Sequence, residues 1–171
     1  YKIIAHEEAV SEPELANHNV GTTIIVKDLF ANIPVRLKFL KSAATEFSYI
    51  YSIIEHFTLT FPEIDFVLIN NNKQVLNTNN IKSQKDLLIN YFGKEIKNKL
   101  KKISYKKEFI SIEGYISNPS YTYSNRSKQF YSINNRLVSS PILFKAINMA
   151  YDDLIPKGRF PLILLNIVIL Q

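Results

Sequence analysis

Few residues in this chain have the type and spacing that chemistry requires. The histidines stand at 6, 18 and 56, with no two at a metal-ligand spacing, and the acidic neighbours of His6 and His18 suit a solvated loop better than a bound cation. Asp152 and Asp153 are adjacent, so on a helix they point about 100° apart and form no paired acid–base site. Glycines occur only at 21, 93, 114 and 158, too scattered for a phosphate-cradling loop. The absence of cysteine removes disulfides and thiolate metal sites and suits a reducing compartment.

Charge is more informative. Residues 1–80 carry 6 basic against 9 acidic side chains, and residues 81–171 carry 15 against 6, so a net charge of +6 conceals a basic second half. Lys94, Lys97, Lys99, Lys101, Lys102, Lys106 and Lys107 form a run, followed by Arg126, Lys128 and Arg136. Such a density attracts polyanions at modest salt, although a solvated lysine face fits the run equally well.

These residues need a scaffold. A length of 171 residues allows one ordinary domain or two small lobes, and 46% hydrophobic against 21% charged residues is the balance of a globular chain. The longest apolar run, residues 160–170, contains Asn166 and is too short for a membrane helix; it reads as a buried strand. Ending the chain there would leave that strand at an edge or frayed, and Tyr1 is not a start methionine, so the sequence reads as part of a longer protein.

The polar, acidic residues 1–20 read as a loop between short strands. The β-branched stretch 22–27 (TTIIVK) predicts a strand, and Asn32 and Pro34 argue against regular structure through residues 28–41. Phe47, Ile50, Tyr51, Ile54 and Phe57 keep helical spacing until Pro62. Asn70, Asn71, Asn72 and Lys73 predict a hairpin between strands at 65–69 and 74–76. Residues 77–82 lack periodicity and separate the two charge regimes, marking a candidate boundary near residue 80. Ser83 can cap a short helix that Gly93 ends. Strands at 109–117 and 129–134, a helix opened by Pro141 and reaching about Leu154, and the final strand complete an α+β chain without internal repeats.

Read as a string, residues 21–40 (GTTIIVKDLFANIPVRLKFL) resemble the segment G-T-x-h-x-V-x-x-L-F-x-N-x-P-A-R-x-K-F-L of the MutL DNA mismatch-repair family, where h is apolar. Val35 replaces the usual Ala. Residues 129–138 (QFYSINNRLV) resemble the family's F-V-N-x-R turn, with Ile133 for Val and Asn135 where Gly is common. Ala146, Tyr151, Pro156 and the run Arg159, Phe160, Pro161 match A-I-x-x-A-Y, L-P and R-x-P elements in the same order.

The resemblance implies that residues 1–80 are the C-terminal part of a GHKL-type ATPase lobe, and that residues 81–171 are a transducer lobe like ribosomal protein S5 domain 2, with a left-handed βαβ crossover. The expected parent is an ATP-driven dimeric clamp, with Mg, that binds DNA non-specifically and couples mismatch recognition to downstream repair proteins. It would form a homodimer or heterodimer, without a membrane, in a bacterial cytoplasm or, in a eukaryote, a nucleus. Gly21 and Thr22 match the G-T element beside the adenine. Asn32, Pro34, Arg36 and Lys38 match a nucleotide-responsive segment. Arg136 matches a DNA-contacting Arg, and Arg126 and Lys128 are expected to bind DNA with it. The family's hydrolytic Glu motif and its H-P-x-K lysine motif are not in this sequence, so the chain alone is expected to be inactive, with no catalytic residue and no tightly bound cofactor. The alternatives are a non-enzymatic nucleic-acid-binding module with an S5-like fold, and a topoisomerase or chaperone relative; the latter does not fit LFANIPVRLKFL.

Overall fold

The computed structural model describes residues 1–6 and 9–170; Glu7, Glu8 and Gln171 lie outside the described residues. It divides into two compact units, Tyr1–Ser48 and Tyr49–Gln171.

In the first unit two short strands, β1 (Ala5–His6) and β2 (Ala9–Val10), pair antiparallel, and an isolated bridge joins Lys2 to Glu14. Residues 22–27 form no strand. Ile24, Ile25 and Val26 are 83%, 73% and 71% exposed and have no ladder partner among the described residues, so β-propensity without a neighbouring strand does not make one. Against expectation, residues 28–41 do contain regular structure. A short helix α1 (Pro34–Phe39) forms because Pro34 occupies its first turn, where the missing N–H is no loss.

Helix α2 (Ala43–Thr60) covers the periodic apolar stretch. The hairpin β3 (Val67–Asn70) and β4 (Lys73–Asn77) turns through Asn71 and Asn72, whose φ values of 48° and 63° are those of a twist-compatible two-residue turn. Buried Thr78 then ties this hairpin's start to its end: its N–H donates to the Phe66 carbonyl (3.0 Å) and its hydroxyl accepts from the Phe66 N–H (2.9 Å). Helix α3 (Gln84–Phe92) starts where the Ser83 hydroxyl accepts from the Asp86 N–H and ends at Gly93, as its capping residues foretell. A 3-10 turn, Lys94–Asn98, leads into the main sheet.

That sheet has five strands, β5 (Leu100–Lys107), β6 (Ile110–Ser117), β8 (Gln129–Ile133), β9 (Arg136–Leu137) and β11 (Ile163–Ile169), in the spatial order β5-β6-β11-β8-β9. The two-residue strands β7 (Thr122–Tyr123) and β10 (Phe160–Pro161) pair separately. Helix α4 (Pro141–Ala150) connects β8 to the parallel strand β11, while the other ladders are antiparallel.

The last strand is therefore central rather than an edge. Leu162 and Leu164 pack with Leu59, Leu87, Leu88, Ile96 and Phe130 on the α2–α3 side. Ile163 and Leu165 pack with Tyr131, Tyr151 and the α4 side chains Leu143, Phe144 and Ile147 on the other. Burial on both faces is why this segment reads as an almost unbroken apolar run. Gly114, at φ 151°, lets β6 approach β11; a Cβ there would run into the Leu164 carbonyl.

Candidate nucleic-acid interface

The β8–β9 turn is built to present one side chain. Asn134 and Asn135 sit at φ 47° and 63°, the left-handed conformation that Asn tolerates best after Gly, so the hairpin closes in two residues. The Asn134 side chain fixes the turn to β11: Nδ2 donates to the Ile169 carbonyl (3.2 Å), and Oδ1 accepts from the Ile169 N–H (2.9 Å). The Asn134 N–H also donates to the Ile167 carbonyl at 2.9 Å. Arg136 follows directly, opposite Ile133, exposed and without an ion pair among the described residues. Its guanidinium stands free on a rigid mount, with five donors available for a planar oxyanion.

Arg126 and Lys128 lie before the other end of β8. Five strand residues separate them from the turn, roughly 17 Å, so the three cations do not form one cluster. The Arg126 guanidinium is 4.4 Å from the centre of the Phe160 ring and 5.7 Å from that of Phe144. Aromatic faces hold a cation without consuming its N–H donors as a carboxylate would. Lys128 is committed differently. Its Nζ is 3.6 Å from Oε1 of Glu55 and 4.9 Å from the Phe92 ring centre. Glu55 is buried on α2, and burial raises its pKa while Lys128 pulls it back. Next to it His56 is pushed down to about 4 by burial, packs edge-on against Phe130 at 5.3 Å, and keeps Nε2 buried with no hydrogen-bond partner among the described residues. Sequence reasoning missed Asn134, the positioning residue of the turn, and Glu55, the counter-charge of Lys128. An Asn-Asn pair between two β-forming stretches was the available signal for the first; nothing in the local sequence marks the second.

Arg159, part of a quoted motif, works structurally. Its Nε and terminal N–H donate to the hydroxyl (3.0 Å) and carbonyl (2.6 Å) of Thr122, tying β10 to β7. Tyr151, from another motif, donates its hydroxyl to the Ser117 carbonyl at 2.6 Å inside the second core.

Within the first unit, Gly21 and Thr22 lie on an exposed loop that His18 closes, with Nδ1 2.6 Å from the Asn19 carbonyl and Nε2 2.7 Å from the Thr23 hydroxyl. Asn32 is exposed before α1, and Pro34 begins that helix. Arg36 lies 5.7 Å from the Phe30 ring centre, and Lys38 is exposed in the last turn. Phe30 itself holds φ 69°, an uncommon backbone state for a bulky residue. Among the described residues there is no group of three or more His, Cys, Asp or Glu side chains able to hold a metal, and no helix long and apolar enough to cross a membrane.

The family model described as the C-terminal domain of DNA mismatch repair proteins matches residues 88–171, which include α4 and the whole five-stranded sheet. The DNA mismatch repair protein MutL of Agathobacter rectalis is 42% identical over 152 residues, 86% of this chain and 24% of the relative. The chain belongs to the MutL family of DNA mismatch repair proteins. MutL of Halothermothrix orenii is 40% identical over 158 residues, 92% of this chain and again 24% of the relative. The chain thus spans about a quarter of the length of these curated MutL proteins. Among solved structures, the Aquifex aeolicus MutL ATPase domain complexed with ADP matches 84% of this chain and 51% of its own, with a TM-score of 0.61 and 26% identity. The α+β architecture is accordingly that of MutL N-terminal regions, with the sheet of residues 100–169 as the S5-like part.

Proposed function

We propose that this chain is the segment of a MutL-type clamp in which a nucleotide-binding lobe meets its transducer, with residues 1–80 the end of the first and 81–171 the second. The whole protein binds and slowly hydrolyses ATP, closes as a homodimer or heterodimer and holds DNA without sequence preference. It passes mismatch recognition to downstream repair proteins in the bacterial cytoplasm, at the nucleoid. Family membership supports the reading, and the single observation that carries its DNA-binding part is Arg136, exposed and without an ion pair among the described residues, on a hairpin braced by Asn134.

A guanidinium fixed in this way recognises phosphate by charge and bidentate hydrogen bonds and reads no base, which is what a sequence-independent clamp needs. Arg126 lies far enough along β8 to meet a different phosphate of the same backbone. Lys128 has much of its charge balanced by Glu55 and so attracts phosphate less than Arg136.

Gly21 and Thr22, exposed on their loop, are the residues of this chain that would stand beside the adenine of a bound nucleotide. Bound ATP with Mg supplies the phosphoryl chemistry. Asn32, Pro34, Arg36 and Lys38 respond to the nucleotide by rearranging, and no residue of this chain is assigned to the hydrolytic step. The test is DNA affinity of the intact protein against salt. Non-specific binding with a slope of about −0.9 per neutralised phosphate, reduced by about one phosphate in Arg136→Ala, supports the reading. A slope unchanged by the substitution removes Arg136 from the contact, and closure that ignores nucleotide removes the clamp.

A further inference from the structure

The basic run Lys94–Lys107 takes no part in the Arg136 surface. It occupies β5 and the turn before it, at one edge of the sheet, while Arg136 stands on β9 at the opposite edge, four strand spacings or about 19 Å away. None of Lys94, Lys97, Lys99, Lys101, Lys102, Lys106 and Lys107 forms an ion pair among the described residues, and all seven are exposed.

Strand β5 is eight residues long, pairs only with β6 among the described residues, and so leaves its outer row of main-chain N–H and C=O groups open. Alternation places Lys101 and Lys107 on one face of the sheet and Lys102 and Lys106 on the other, so positive charge flanks the open edge on both sides. Between these pairs lie Ile103, Ser104 and Tyr105, the last 50% exposed, and Ser104 is opposite Glu113 of β6. Lysines along an edge repel a second copy of the same strand. The same charges favour one kind of strand, an acidic one.

We infer that the β5 edge is a docking surface for an extended acidic segment of a partner protein, which adds to the sheet as a sixth strand. The register fixes its pattern: two acidic residues opposite Lys101 and Lys102, three small or β-branched uncharged residues opposite Ile103, Ser104 and Tyr105, and two acidic residues opposite Lys106 and Lys107. The central uncharged positions follow from the apolar surface of Ile103 and Tyr105 and from Glu113 beside Ser104. Main-chain hydrogen bonds supply affinity and the paired charges supply selection. An extended peptide fits better than a duplex because the open groups recur at strand spacing and the lysines straddle the edge.

The experiment uses the intact protein and a fluorescent peptide of sequence Glu-Glu-Val-Thr-Val-Glu-Glu. Expected is saturable binding that weakens at least tenfold in the variant K101E/K102E/K106E/K107E, whose thermal midpoint and Arg136-dependent DNA binding are checked for integrity. Two further peptides, N-methylated on alternate amide nitrogens in opposite phase, separate pairing from attraction: strand addition tolerates one phase and fails with the other. Absence of peptide binding, or equal binding of both methylated peptides, overturns the inference. Loss of duplex-DNA affinity in the quadruple variant with no peptide binding overturns it in favour of a nucleic-acid surface.

Discussion

Arg136, Lys128 and His56 show how similar-looking residues acquire different work from their surroundings. Arg136 is exposed on a braced turn, so Arg136→Glu should lower DNA affinity at least tenfold at low salt while leaving the urea midpoint of unfolding unchanged. Lys128 faces buried Glu55, so Lys128→Met leaves a carboxylate without its counter-charge and should destabilise the fold by about 1–3 kcal/mol. Adding Glu55→Gln should restore part of that loss, and a double-mutant cycle of urea stabilities measures the coupling. His56 predicts a pH effect. Its pKa is about 4 in the folded chain against an ordinary 6.5, so the unfolded chain binds the proton first and stability is lost as pH falls from about 6.5 towards 4. Glu55, whose pKa is raised, acts in the opposite sense, its contribution falling as pH rises above the ordinary carboxylate value of 4.5. His56→Gln should therefore lose less stability between pH 7 and pH 5 than the parent, read from urea midpoints at both values.

At the scale of elements, turn and cap chemistry decide where structure begins and ends. The Asn-Asn turn of β8–β9 combines positive φ with a side-chain clamp onto β11; Asn134→Ala removes both hydrogen bonds and adds backbone strain, at a cost of about 1–3 kcal/mol. Because the turn also aims Arg136, DNA affinity should fall in this variant although no contact residue has changed. Gly114 makes a harder constraint, since any side chain there meets the backbone of β11; Gly114→Val should prevent the sheet from closing, read as loss of the cooperative thermal transition. The same local logic made Ser83 and Gly93 legible as the ends of α3 but misread Pro34, which opens α1 instead of breaking regular structure. It failed for residues 22–27, where strand-forming side chains have no strand to pair with among the described residues.

For the molecule as a whole, charge is divided rather than pooled. One edge of the main sheet carries the exposed lysines of β5 and the other carries Arg136, so a basic half of the chain is in fact two surfaces with different geometries. The packing division between residues 48 and 49 is also a different thing from the lobe boundary proposed near residue 80, for residues 49–60 of α2 and the β3–β4 hairpin belong to the same compact unit as the sheet. Helix α2 delivers Leu59 to the first core, and the Gln84 amide donates to the Leu59 carbonyl at 3.0 Å.

The sequence by itself determined the class, the family motifs, the β3–β4 hairpin, the caps of α3 and the existence of a buried final strand, because these depend on propensity, periodicity and short-range hydrogen bonding. It also singled out Arg136. Tertiary structure decided that β11 is central, because a single apolar run does not say which strands flank it. It paired Glu55 with Lys128 across 73 residues of sequence, and it separated the two basic edges, because strand order depends on long-range pairing that no local pattern encodes.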